Sequence, residues 1–159
     1  MIAKLTDAVE GAASKQAGLM ALRVSMAGLM FWWGLVKGLN TGVGQAVSER
    51  FYGGAFSFDV ILIAFGWIQV LAAIALALGV VRRPLLVFQL VMNVFVAASV
   101  ATAFIDPFWL WLPGEKPSPS WQLFYPSVIV AAASWLLLAF RDQDRWAFDR
   151  VLERSGAAE

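Results

Sequence analysis

The sequence predicts an all-α integral membrane protein, a four-helix bundle with both termini on the cytoplasmic side and short amphipathic helices at its ends. Three observations carry this prediction. Of the 159 residues, 60% are hydrophobic and only 14% charged, against roughly 45–50% and about 25% in a soluble domain. The apolar residues gather into four long blocks instead of recurring along one face of soluble helices or strands. Lys and Arg are divided very unevenly between the block ends.

In chain order, residues 1–16 contain Lys4, Asp7, Glu10 and Lys15 and lack the apolar core of a cleavable signal. Ile2, Leu5 and Val9 fall on one face, as in a helix lying on headgroups. The blocks follow at about 17–38, 60–81, 84–105 and 123–140. Each approaches the ~20 residues that cross ~30 Å of hydrocarbon. A barrel is the poorer alternative, because the blocks do not alternate in polarity. Lys4, Lys15, Arg23, Arg82, Arg83, Arg141, Arg145, Arg150 and Arg154 lie on the side of the termini, and only Lys37, Arg50 and Lys116 on the other. Basic residues favour the cytoplasm, which sets the orientation. Pro84 suits the first position of the third helix, where its missing N–H costs nothing. Residues 1–159 read as one transmembrane domain, with 1–16 and 141–159 as cytoplasmic interfacial segments.

The connections 40–59 and 106–122 are expected on the outer side. They bring Phe51, Tyr52, Phe56, Phe58, Phe108, Trp109, Trp111, Trp121 and Tyr125 to one face. An interfacial aromatic belt is one reading. A cap over the bundle, or a docking surface built on Phe108, Trp109, Trp111 and Trp121, is the other. At the C-terminal end, Phe148, Val151 and Leu152 share a face beside an Arg145/Asp149 pair at i,i+4 spacing.

A formal charge of +1 gives no field suited to nucleic acid. Cys and His are both absent, which removes thiolate chemistry and histidine- or cysteine-ligated haem and takes away the nitrogen and sulfur ligands that structural zinc and blue-copper sites need. No covalent or metal cofactor is expected. The expected partners are the lipid bilayer and other membrane or extracytoplasmic subunits.

Polar groups in the spans are costly, at least ~2.5–3.5 kcal/mol for a charge at the bilayer centre. Arg23 and Lys37 lie about 21 Å apart along the first helix and within about 40° of one face, with Ala27, Met30 and Gly34 between them. Two readings stay open: both side chains snorkel to the interfaces, or the stripe faces the interior. Gln69 in the second span and Gln89 and Asn93 in the third either join helices or line a cavity for an amphiphilic ligand. Asp59 and Asp106, at the outer span boundaries, are candidate partners for Lys37 and complete the ligand-binding candidates Arg23, Lys37, Gln69, Asn93, Asp59 and Asp106.

Arg23, Gly28, Phe31, Gly34 and Lys37, then Gly79 and Arg82, then Trp146, Asp149 and Leu152 resemble the signature of the DoxX family, small four-helix membrane proteins of bacteria and archaea. The resemblance covers about 22–152. It implies a multi-pass protein of the cytoplasmic (inner) membrane, most simply an accessory or anchoring subunit of a membrane redox complex. A quinone- or lipid-binding oxidoreductase component like the membrane subunit of thiosulfate:quinone oxidoreductase, with an isoprenoid quinone, is the alternative, and a small transporter a further one. Gln69 departs from the pattern, standing where many relatives carry Glu, so an intramembrane proton acceptor is lost.

Overall fold

The computed structural model describes residues 11–108, 110–112 and 124–150, and among them all regular structure is helical. The elements are α1 (Ala12–Leu39), α2 (Thr41–Tyr52), α3 (Asp59–Leu78), α4 (Arg82–Ser99), α5 (Ala101–Ile105) and α6 (Tyr125–Ala139). Two of them, α1 with 28 residues and α3 with 20, are long and apolar enough to cross a membrane. The 15-residue α6 is apolar but shorter. The 18 residues of α4 include Arg82, Arg83, Gln89 and Asn93.

Several expected boundaries move. The first helix begins at Ala12, so 12–16 extends α1 instead of forming part of a separate surface segment. The second stops at Leu78, because Gly79 adopts φ +77°, a left-handed geometry that ends helices readily only at glycine. The expected third span is broken at Val100, whose φ of −120° divides α4 from α5. The connection 40–59 contains the α2 helix. It closes at Gly53 in the left-handed region, φ 59°.

Packing is by pairs: α1 runs along α3, and α4 along α6, with sparser contact between the pairs. Where α1 meets α3, the side chains vanish. A Cβ on Gly66 would lie 2.6 Å from the Gly38 nitrogen and 2.7 Å from the Gly34 carbonyl. Small residues permit this approach, and close packing is what holds helices together where lipid removes the hydrophobic drive. One apolar cluster spans both pairs: Met26 and Ala27 of α1, Leu76 of α3, Leu86 of α4, and Val130, Ala133 and Leu137 of α6.

The two ends of the helices differ. At one end α2 folds across the others. Gln45 donates to Asp59 Oδ1 at 2.8 Å and to the Ser57 carbonyl at 3.3 Å, and Ser48 Oγ, buried, accepts from the Phe56 N–H at 2.9 Å. Tyr52 stacks on Phe95 of α4, and Phe51 meets Phe124 edge-on just before α6. The connection 40–59 thus packs over this end of the described helices; most of 106–122 lies outside the described residues. At the other end, segment 141–150 turns back and packs against the α3–α4 turn. Residues 140–143 and 145–147 are turns and bends, and helix resumes at 148; of the surface face expected from Phe148, Val151 and Leu152, the last two lie outside the described residues.

Candidate functional site

The Arg23 stripe faces inward: Arg23, Ala27, Met30 and Gly34 are all buried. Its two cations serve different ends of the molecule. At the tail end, Arg23 and Arg82 are 1% and 2% exposed and converge on Asp144, also 2% exposed. Arg82 Nη1 donates to Asp144 Oδ2 at 3.0 Å and to the Asp144 carbonyl at 3.3 Å. Arg23 Nη1 stands 3.6 Å from the same Oδ2, and its Nη2 donates to the Trp146 carbonyl at 3.3 Å.

Asp149 completes the arrangement. Its Oδ1 accepts from the Val81 N–H at 2.9 Å and its Oδ2 from the Arg82 N–H at 3.0 Å, and the Arg82 Nε lies 3.5 Å away. It therefore caps the start of α4, where helical N–H groups lack partners. In return its own N–H donates to the Gly79 carbonyl at 3.1 Å. Burial raises the Asp149 carboxyl, but the two backbone N–H groups and the Arg82 guanidinium together outweigh it and hold the group below the ordinary carboxylate range. Gly79 is required here for a second reason, since a Cβ would collide with the Arg23 guanidinium and with Ala147.

Two buried cations and two carboxylates thus neutralise one another, as buried charges must. Arg23, taken as a ligand-binding candidate, instead helps lock the tail to the α3–α4 turn. The expected Arg145/Asp149 pair does not form: the Asp149 carboxylate is engaged at Val81 and Arg82, and the Arg145 N–H donates to Gln16 Oε1 at 2.8 Å.

Lys37 sits toward the opposite end, half-buried between α1 and α3. Its ammonium donates to Gln69 Oε1 at 3.0 Å and lies 5.8 Å from the Trp33 ring centre and 5.4 Å from that of Phe65. Aromatic faces attract a cation at this range. Neither expected carboxylate partner reaches it: Asp59 accepts from Gln45, and Asp106 is turned to backbone. Asn93 does not join Gln69. Its amide donates to the Gln89 carbonyl at 2.8 Å and to Gln89 Oε1 at 3.3 Å within α4. Of the six ligand-binding candidates, the structure brings only Lys37 and Gln69 together. An ammonium has three donors, so this pair can present a further N–H to an acceptor on an apolar ligand.

Asp106, 0% exposed, has a role that sequence reasoning missed. Its carboxylate accepts from the N–H groups of Leu110, Trp111 and Leu112 at 2.8, 2.7 and 2.8 Å. Charge-assisted bonds of this kind are the stronger class, and they fix the turn that leaves Phe108 and Trp111 78% and 75% exposed. Asp followed four to six residues later by an apolar run was the available signal. The other two docking candidates, Trp109 and Trp121, lie outside the described residues. Asp144 was missed as well, although an acid in an Arg-rich tail facing a buried Arg invites the pairing. No group of His, Cys, Asp or Glu suited to a metal ion occurs among the described residues.

No protein-family model matches the sequence, and neither a curated protein nor a solved structure shows significant similarity to it.

Proposed function

We propose that this chain is a DoxX-like, four-span anchoring subunit of a membrane redox complex, with both termini in the cytoplasm and the Asp106 turn presented to an extracytoplasmic or membrane partner. The observation that carries the reading is that turn. Three charge-assisted bonds order a turn on which Phe108, Leu110 and Trp111 are left exposed. Ordering a chain costs conformational entropy, and apolar exposure adds no compensating burial within the monomer. A preformed aromatic surface is what recognition uses.

Membrane insertion is supported by the exterior. Only 28% of the most apolar window is buried in both α1 and α3, and Trp32, Ile68, Leu71, Val91 and Trp135 all point outward. A soluble protein would hide such helices, whereas lipid is their solvent. On this reading α4 and α5 together make the third span, α6 the fourth, and the tail lock lies at the cytoplasmic surface.

The experiment is purification in mild detergent at native expression, comparing the wild type with a Phe108→Ser/Trp111→Ser double variant. We expect a second subunit with the wild type and its loss from the variant, with an unchanged thermal midpoint. A wild type that purifies alone sinks the anchoring reading. The Lys37–Gln69 pair favours a second reading, an isoprenoid quinone whose carbonyl accepts from Lys37. Extraction of bound lipid from the wild type and Lys37→Met tests it, and equal quinone content in both counts against it.

A further inference from the structure

The lower part of α1 and the end of α6 do not close on each other. Between them runs an open groove of about 270 Å³, walled by Leu19, Leu22, Leu136 and Phe140, with Lys15 and Gln143 at its mouth. Gly18 forms part of its floor, and a Cβ added there would meet nothing within 4 Å. A larger side chain at this position would therefore project into the open space beside the groove.

The mouth is electropositive. Among the described residues no carboxylate pairs with Lys15, which is exposed. Lys15 also stands in the first turn of α1, the positive end of a 28-residue helix dipole. Along the axis, residues 15 to 22 cover about 10 Å, enough for the upper part of an acyl chain.

An acyl chain gains little by leaving bulk lipid for an apolar groove, so selection falls on what the mouth offers. A compact ammonium and an amide N–H suit a phosphate oxygen, and each cation near an anionic surface favours negative lipid about fivefold. A quinone carbonyl can accept from Lys15 but, being neutral, gains none of the charge attraction that a phosphate does. We infer that this groove binds an anionic phospholipid of the cytoplasmic leaflet, its acyl chain over Gly18 and its phosphate at Lys15. The inference rests on the membrane insertion and orientation proposed above.

The test compares wild type, Lys15→Glu, Gly18→Leu and Gly28→Leu. Gly28 is exposed on α1, and its Cβ position is equally open, so it controls for adding a leucine to this helix. Each protein is purified in mild detergent with added phosphatidylglycerol or phosphatidylcholine, and retained phospholipid is counted by native mass spectrometry. The wild type and Gly28→Leu should keep phosphatidylglycerol about fivefold over phosphatidylcholine. Lys15→Glu should bring the ratio to one or below, and Gly18→Leu should lose both lipids. Equal retention of the two lipids by the wild type, or an unchanged ratio in Lys15→Glu, or undiminished retention in Gly18→Leu, overturns the site. Alkaline carbonate extraction is run in parallel. A chain released by carbonate overturns the membrane reading and the lipid site together, while a resistant chain without lipid preference overturns the lipid site alone.

Discussion

Asp144 holds two buried guanidiniums and has no equivalent substitute, whereas Arg23 is the more dispensable partner. Its Nε and Nη1 make no hydrogen bond among the described residues, and Asp144 would keep Arg82 without it. Removing one member of a buried pair typically costs ~3–5 kcal/mol because a charge is stranded. Asp144→Asn, which leaves Arg23 with no ion-pair partner among the described residues and Arg82 with Asp149 alone, should reach that range, and Arg23→Met should cost clearly less. Thermal or denaturant unfolding of the two variants in the same detergent checks the order. An Arg23→Met loss as large as that of Asp144→Asn would mean that the two cations share the carboxylate equally.

Asp149 adds a pH dependence of defined sign. Its native carboxyl titrates below the ordinary value, so the unfolded chain takes up the proton first as pH falls. The stabilisation is complete above the unfolded value of ~3.9 and is lost as pH drops through the lower native value. Melting midpoints measured from pH 7 to pH 3 should fall at the acid end, and Asp149→Asn should start lower and flatten that limb. These roles also mark how far single residues were legible. Helical spacing puts Arg23, Ala27, Met30, Gly34 and Lys37 on one face but leaves open whether that face looks inward, which the burial of the first four decides. That the Arg23 charge is neutralised by a tail more than a hundred residues away does not follow from it either, because spacing within one helix carries no information on distant partners.

At the level of elements, the α1–α3 pair depends on absent side chains. Gly34, Gly38 and Gly66 meet backbone to backbone, and the Lys37–Gln69 bond lies alongside, Lys37 between the two α1 glycines and Gln69 one turn after Gly66. Gly66→Leu must push the helices apart, with an overpacking cost of ~1–3 kcal/mol and separation of Lys37 from Gln69. Gly28→Leu, with open space at the Cβ, should change little. Unfolding midpoints, together with the effect of adding Lys37→Met to each background, read this out: the Lys37 substitution should matter less once Gly66→Leu has parted the pair. The small residues of α1 and α3 were visible in the sequence, since close approach needs them. Helix α2 was not, because its apolar and polar residues lack a clean period and its stability comes from Gln45, Ser48 and the Tyr52–Phe95 stack. The break at Val100 was equally hidden, lying within an unbroken apolar block with no glycine or proline to announce it.

For the whole molecule, the helical class was readable because block length and composition alone dictate it. The relative ends of the helices are fixed by the structure, which separates a basic, ion-paired end from an aromatic, capped one. Placing those ends on opposite sides of a bilayer is a prediction that this chain is well suited to test. It contains no cysteine, so a single introduced thiol is the only one to label. Ala13, at the start of α1, and Ala55, between α2 and α3, are both exposed and make no side-chain hydrogen bonds. With nine of twelve basic residues on the side of the termini, the charge rule puts Ala13 inside and Ala55 outside. A membrane-impermeant maleimide applied to intact spheroplasts should therefore label Ala55→Cys and leave Ala13→Cys untouched until the membrane is permeabilised. The reverse pattern would invert the protein, moving the Arg23–Asp144 lock and the Lys15 groove to the outer leaflet. Labelling of both from one side would place the start of α1 and the start of α3 on the same face and refute a single crossing by α1.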